Sequence, residues 1–233
     1  MSRINESNPL RFIDPTGLRI TVAGTPEYRG QVAAALRQLD PLAEVDLQSG
    51  EVTLSKGPSR KDRQYGHELL TRLVSNERTV TIGGEVAALR AVAPHSRDLQ
   101  ELRESWGEEG WMQPPRHPHQ NLEAASDTGS FVGFKPGDRS KHIPVKGAGG
   151  RVVEEDSTKG FIGLAHELIH AEHRLRPGWS GGQSWQLSSR LNVREEKRTV
   201  GVAFLQFLNG NDITENMIRR EHASEGVRQR AQY

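Results

Sequence analysis

The chain has 233 residues, enough for one large domain or two small ones, and its 31 Lys and Arg against 30 Asp and Glu leave a net charge of +1. This balance argues against nucleic acid as the main partner, which would require a basic patch or stripe. The chain has no cysteine, and this excludes disulfides, thiolate zinc ligands and a cysteine nucleophile.

The first third of the chain predicts alternating strands and helices. A helix over 26–39 is favoured by Thr25 as the N-cap and Pro26 at the first helical position. Around it the hydrophobic patterns predict further elements. These are a strand over 18–22, a hairpin of 45–47 with 52–54, a helix over 65–74 and a strand over 78–82.

The rest of the chain predicts a long irregular segment and then mostly helices. Residues 105–130, with their Trp and Pro residues, predict a loop or lid, and Gly147 to Gly150 a flexible joint. Strands are predicted over 130–134 and 143–145, and helices around 161–175, over 191–208 and over 214–225. Because most strands precede most helices, we expect one α+β domain with a small mixed sheet packed on the 161–175 helix.

Residues 166–170 read His-Glu-Leu-Ile-His, in a segment with helical spacing. Residues four apart return to one face of a helix, so His166 and His170 can offer two imidazole nitrogens to one cation. Glu167 points elsewhere around the helix and can take a proton from a water molecule at that cation. The pattern is typical of zinc-dependent hydrolysis.

A catalytic zinc normally has a third protein ligand, and the sequence offers two adjacent glutamates for it. His173 lies on the same helix as His170 and cannot close the same tetrahedral site. On the predicted 191–208 helix, Glu196 falls on an otherwise apolar stripe, where a carboxylate is costly unless it binds a partner. Glu195 falls on a more mixed face. We therefore expect Glu196 to bind the metal. Glu195 is expected either to orient a ligand histidine or a nearby arginine or to be a solvated surface carboxylate.

Another segment imitates the first half of the motif. His67 and Glu68 are followed by Thr71 where the second histidine would have to stand. We interpret 65–74 as an ordinary helix without a metal.

Two strings in the chain resemble known metallopeptidases. The run from Leu164 to Leu175 is similar to the zinc helix of the clostridial neurotoxin light chains, and Glu195-Glu196-x-Arg198-Thr199-x-Gly201 is similar to the segment with their glutamate ligand. The same motifs mark the NleD-type effector metallopeptidases of bacterial pathogens, whose short chains this one matches better. The resemblance covers about residues 155–233 and implies a zincin-like fold, Zn²⁺ and a protein substrate. In such a fold we expect a sheet edge, at residues 131–134, to bind the substrate backbone as an added strand.

The resemblance also implies an Arg-x-x-Tyr pair that stabilises the oxyanion of the reaction. Arg230 and Tyr233 have that form, in the last four residues of the chain. Arg219, Arg220 and Arg228 remain alternatives for the guanidinium.

A second resemblance lies near the other end of the chain. Residues 8–18, which include Asp14-Pro15-Thr16-Gly17-Leu18, resemble the end of the Rhs repeat shell that precedes a variable toxin domain. It implies that residues 1–18 are a remnant of that shell and that 19–233 form the toxin domain. It also implies an Rhs shell, a secretion apparatus and a cognate immunity protein as partners.

Together these patterns predict a secreted zinc endopeptidase toxin or virulence effector. The chain has neither a stretch of about 18 apolar residues for a membrane span nor the apolar segment of a signal peptide. We therefore expect delivery into the target-cell cytosol by a type VI or related system. Two alternatives stay open: a zinc hydrolase of another amide such as peptidoglycan, and a non-enzymatic binding module with a structural metal.

Overall fold

The computed structural model describes residues 20–56, 61–84, 119–123, 130–136, 142–156, 159–176, 189–202 and 211–231. The strands are β1 (Ile20–Ala23), β2 (Ala43–Val45), β3 (Glu51–Leu54), β4 (Val80–Gly83), β5 (His119–Glu123), β6 (Ser130–Phe134), β7 (His142–Lys146) and β8 (Val152–Asp156). The helices are α1 (Pro26–Leu39), α2 (Gln64–Val74), α3 (Gly160–Leu175), α4 (Ser189–Val200) and α5 (Glu215–Glu221). Among the described helices, none is both long and apolar enough to cross a lipid bilayer.

Six strands form one mixed sheet in the order β2-β3-β1-β4-β6-β5. β1, β4 and β6 are parallel, with Ile20 opposite Val80 and Val80 opposite Ser130, and the other neighbouring strands are antiparallel. Ile20, Ile82 and Val132, one on each of the three parallel strands, are fully buried. This architecture confirms the expected α+β class.

Helix α3 is the most enclosed helix of the described structure. It contacts β5 and β6 of the sheet and all four other helices. Its apolar side chains are at most 3 % exposed, and they point in several directions around the axis: Phe161, Ile162, Leu164, Ala165, Leu168, Ile169, Ala171 and Leu175. A helix with such a composition is stable only when other elements cover it on most sides.

A second, two-stranded sheet is formed by β7 and β8, which are antiparallel. The C-terminal segment 228–231, here called the tail strand, runs along the other side of β7. Lys146 N–H donates to the Gln229 carbonyl (2.8 Å) and Ala231 N–H donates to the Pro144 carbonyl (2.9 Å). The tail strand is therefore hydrogen-bonded to β7.

Most predicted elements agree with the structure, and α1 and β6 have the predicted bounds. The Thr25 hydroxyl accepts from the backbone N–H of Tyr28 (3.3 Å), as an N-cap does. The last predicted helix is shorter than 214–225, because Thr214 is its N-cap and its last turn, 223–225, is a separate 3-10 turn.

Three expectations about secondary structure were wrong. The predicted loop over 105–130 contains β5, and the joint after Lys146 is the turn of a hairpin whose second strand, β8, was not foreseen. The helix predicted over 191–208 ends at Val200, because Gly201 adopts a left-handed φ of 76°. There the chain approaches α5 so closely that a Cβ on Gly201 would lie 2.5 Å from the Thr214 hydroxyl.

Candidate metal centre

Helix α3 brings His166 and His170 together one turn apart. Their Nε2 atoms lie 3.1 Å from each other, and the two rings are nearly perpendicular, with centroids 4.7 Å apart. The two imidazoles therefore lie side by side, as the four-residue spacing predicts. Both Nε2 atoms face the same small space.

The third donor comes from α4. Glu196 Oε2 lies 3.0 Å from His166 Nε2, and Glu196 Oε1 lies 3.3 Å from His170 Nε2. Donors about 2.0–2.1 Å from one tetrahedral ion would be separated by about 3.3 Å, so this set fits a metal the size of zinc. Within the described residues, these three form the one group of His, Asp or Glu side chains that converges in this way.

The far nitrogens of both imidazoles have oxygen partners. His166 Nδ1 lies 2.8 Å from Glu215 Oε2, and His170 Nδ1 lies 3.1 Å from the Thr199 hydroxyl and 3.4 Å from Glu195 Oε1. Oxygen partners at Nδ1 fix the ring orientation and leave the Nε2 lone pair for a metal. Glu215 and Thr199 were not foreseen from the sequence.

Glu195 and Glu196 have different partners although they are adjacent. Glu196 faces both ligand nitrogens, whereas Glu195 Oε1 lies 2.7 Å from Nδ1 of His173 and 3.4 Å from Nδ1 of His170. Glu195 therefore lies behind the ligands, and His173 lies outside the group of metal donors. The structure brings each glutamate to the position that the stripe argument predicts for it.

The apolar stripe that suggested Glu196 is shorter than expected. On a helix over 191–208 the stripe would continue through Ala203, Phe204 and Phe207, but α4 ends before them at Val200. Residues 203–210 lie outside the described residues. The choice of Glu196 thus rests on its distances to the two imidazoles, not on the length of the stripe.

The charges of the group favour a bound cation. Burial alone would raise the pKa of Glu196, but its hydrogen bonds with His166 and His170 hold it well below its usual range. Burial would also raise the pKa of Glu215, and the opposing charge of Arg219 and the contact with His166 lower it. Burial would lower the pKa of His166, but Glu196 and Glu215 raise it to about 10. Two carboxylates thus stabilise positive charge between the imidazoles.

Glu167 is buried next to this group, with 7 % of its surface exposed. Burial raises its pKa above the ordinary value, although the positive potential of His166 and His170 opposes the change. A carboxyl group with a raised pKa is suited to take a proton in one step and return it in the next.

Arg230 lies on the His166 side of the group, while Tyr233 lies outside the described residues. Its Nη1 is 3.4 Å from Glu215 Oε2, the oxygen that also contacts His166 Nδ1. Of the alternative arginines, Arg219 also pairs with Glu215 and is 5 % exposed, whereas Arg220 is exposed. Arg230 is therefore held beside the group by the same carboxylate that orients a ligand histidine.

An ion-pair network fixes α4 against α3. Arg198 of α4 donates from Nε to Asp212 Oδ2 (2.7 Å), and Arg176, just after α3, contacts the same buried carboxylate. Arg176 also donates to both oxygens of Glu172 on α3. Asp212 thus connects the helix of the glutamate donor with the helix of the two histidines.

The substrate edge expected at residues 131–134 was a wrong assignment. β6 lies inside the sheet between β4 and β5, so its backbone is paired on both sides. Among the described strands, the sheet ends at β2 on one side and at β5 on the other, and β5 also contacts α3. The edge next to the candidate metal centre is therefore β5.

Comparisons of the chain with protein-family models, curated proteins and solved structures return no match. The functional conclusion therefore rests on the chemistry of the site.

Proposed function

We propose that this chain is a zinc endopeptidase with a zincin-like α+β fold. The observation that carries the proposal is the convergence of His166 Nε2, His170 Nε2 and Glu196 within 3.0–3.3 Å of one another. Two imidazoles and one carboxylate are a donor set of catalytic zinc, which keeps a fourth position open. The buried Glu167 next to them supplies the base that a purely structural metal site does not need.

The residues of the chain divide the work of amide hydrolysis. His166, His170 and Glu196 would hold zinc, which when bound would supply Lewis acidity toward the scissile carbonyl. Glu167 takes a proton from the attacking water and later gives it to the leaving amine nitrogen. The Arg230 guanidinium stabilises the negative charge that develops on the carbonyl oxygen, together with Tyr233.

The β5 edge is the proposed binding strand for the substrate. An extended peptide can add to a free sheet edge through main-chain hydrogen bonds. β5 is the edge strand that contacts α3, so a peptide added there would run beside the metal donors. This geometry favours a protein substrate over a small amide.

Delivery as a toxin is the second part of the proposal, and it rests on residues 8–18, which are outside the described residues. Their resemblance to the end of an Rhs shell implies a domain that is carried into a target cell without a signal peptide. It also implies a cognate immunity protein in the producing cell.

The decisive experiment compares new protein N-termini in cells that express the wild type, Glu167→Gln or Glu68→Gln. Glu68 is the matched control, because it follows a histidine on α2 as Glu167 follows one on α3. We expect new termini with the wild type and Glu68→Gln, and none with Glu167→Gln. Termini that persist in Glu167→Gln would contradict the peptidase proposal. Released peptidoglycan fragments without new termini would support hydrolysis of another amide, and toxicity that survives Glu167→Gln would support the non-enzymatic module.

A further inference from the structure

The tail strand is hydrogen-bonded on two sides, and the side alternates from residue to residue. Gln229 and Ala231 pair with the backbone of β7. Arg228 and Arg230 pair with side chains of α5, because the Arg228 carbonyl accepts from Arg219 Nη1 (2.9 Å) and Arg230 pairs with Asn216. This alternation is that of a strand between two partners, one of which is a helix.

Asn216 replaces a neighbouring strand at Arg230. Its Oδ1 accepts from the Arg230 backbone N–H (2.7 Å), and its Nδ2 donates to the Arg230 carbonyl (3.2 Å). A single amide side chain thus satisfies both backbone groups of one residue, as a β partner would. Asn216 is 7 % exposed, so water does not readily take over these bonds.

Asn216 directly follows Glu215, which contacts the Arg230 guanidinium and the Nδ1 of His166. Two consecutive residues of α5 therefore hold the backbone and the side chain of Arg230. The backbone contact determines where along α5 the arginine stands, and the carboxylate determines the direction of the guanidinium. A shift of the tail strand by one residue would replace Arg230 with its neighbour.

We propose that Asn216 is a positioning residue for Arg230. It holds the tail strand in register between β7 and α5, so that the guanidinium reaches the reacting carbonyl oxygen. The role for Arg230 rests on the proposed function, whereas the backbone contact does not depend on it.

The first test measures hydrogen exchange and needs no substrate. In the zinc-loaded protein, Asn216→Ala should speed exchange of the Arg230 amide about 10-fold, because one hydrogen bond is lost, while the amides of α1 keep their protection. Asn76→Ala is the matched control, since Asn76 Oδ1 accepts from the Arg78 backbone N–H (2.9 Å) in the turn before β4. Unchanged exchange at Arg230 in Asn216→Ala would overturn the proposal.

The second test measures turnover of a peptide that contains an identified cleavage site. A displacement of a catalytic group by about 1 Å can cost about 100-fold in rate, so Asn216→Ala should lower kcat about 10- to 100-fold, with KM and zinc affinity within about 3-fold of the wild type. Arg230→Ala should lower kcat similarly, and Asn216→Ala added to it should cause no further loss. Additive losses in the double variant would overturn the positioning role.

A third variant tests the β7 side and does not disturb α5. Ala231→Pro removes the N–H that donates to the Pro144 carbonyl, and it lies in the tail strand, where it leaves the core intact. We expect the same loss of protection at Arg230 and the same fall in kcat. Full protection and full kcat in Ala231→Pro would contradict a tail strand held from both sides. If the wild type cleaves no protein, the peptidase proposal fails, and the exchange measurements still test the register of the tail strand.

Discussion

Helices α2 and α3 both carry a His-Glu pair, and their surroundings differ. On α2, His67 Nδ1 lies 2.8 Å from Asp40, and Glu68 pairs with Arg72 one turn later in the same helix. The His67 side chain is 29 % exposed and that of Glu68 is 41 % exposed. The position one turn after His67 is the exposed Thr71. This pair is part of an ordinary surface helix.

On α3 the same pair is enclosed by other elements. His166 contacts Glu215 of α5 at its Nδ1, at the same 2.8 Å, and Glu196 of α4 at its Nε2. Glu167 is buried, and His170 repeats the contact with Glu196. Since both histidines have a carboxylate at Nδ1, that contact does not distinguish the two helices. The second histidine and a carboxylate from another helix distinguish α3.

The largest expected difference between the helices is in zinc affinity. His170→Ala removes one of three ligands and should weaken zinc binding by more than the 10- to 100-fold typical of an outer contact, whereas His67→Ala should leave it unchanged. Competition with a chromophoric chelator measures both. Equal zinc affinities of His170→Ala and His67→Ala would contradict the assignment of the zinc ligand to α3 rather than α2.

Completing the motif on α2 should not create a second site of similar strength. Thr71→His gives that helix two histidines one turn apart without a third ligand from a neighbouring helix. We expect any added zinc site to be at least about 100-fold weaker than the one on α3. Isothermal titration calorimetry of the variant with zinc should therefore show one tightly bound zinc ion per chain. Two zinc ions bound with similar high affinity would mean that the His-Glu-x-x-His motif alone is sufficient for tight zinc binding.

The carboxylates behind the two histidines provide a smaller contrast. Glu215→Gln should weaken zinc binding about 10- to 100-fold, because it removes the charge that orients and polarises His166. Asp40→Asn changes the same contact at His67 and should leave zinc affinity as it is. Circular dichroism melts of both variants would separate a lost contact from a lost fold. A similar affinity for both variants would contradict the role of Glu215.

The smallest expected effect concerns Glu221 and His222 at the end of α5, which contact both α2 and α3. Glu221 accepts from the backbone N–H groups of Tyr65 (2.5 Å) and Gly66 (3.1 Å) at the start of α2. The His222 ring packs against Phe161 of α3, with ring centroids 4.5 Å apart and the ring planes tilted by 53°. Burial lowers the pKa of His222, and the charge of Arg63 adds to this, although Glu225 opposes it.

Since the unfolded chain has the higher pKa, near 6.5, His222 contributes stability above that pH and loses it as the pH falls. His222→Phe should therefore lose less stability than the wild type as the pH falls from 7 to 5.5, which urea unfolding with chelator present would measure. If the wild type and His222→Phe lost the same stability as the pH falls, the pKa of His222 would not be lowered in the folded protein.

The sequence predicted the local parts of the site well because they depend on helical spacing. The placement of His166 and His170 on one face follows from their positions within α3, and the different directions of Glu195 and Glu196 follow from their positions within α4. Glu215 could not be predicted, because its contact with His166 depends on how α5 packs against α3. From the sequence alone, Glu215 is an acidic residue in the first turn of a helix capped by Thr214, where it interacts favourably with the helix dipole. That pattern does not indicate the contact with His166.

The sheet shows the same limit. β6 was recognised from its pattern, but its interior position depends on β5, whose pattern is weak. The tail strand has no apolar alternation, and its pairing with β7 is decided by contacts with α5. The hydrophobic pattern of a single strand does not indicate which distant segment it pairs with.

We propose that one zinc ion binds between α3 and α4. A crystal structure of the zinc-loaded protein, with anomalous data on both sides of the zinc edge, tests it most directly. We predict one strong peak about 2.0–2.2 Å from His166 Nε2, His170 Nε2 and a carboxylate oxygen of Glu196. A peak at other residues, or no peak at this group in zinc-saturated crystals, would contradict the account.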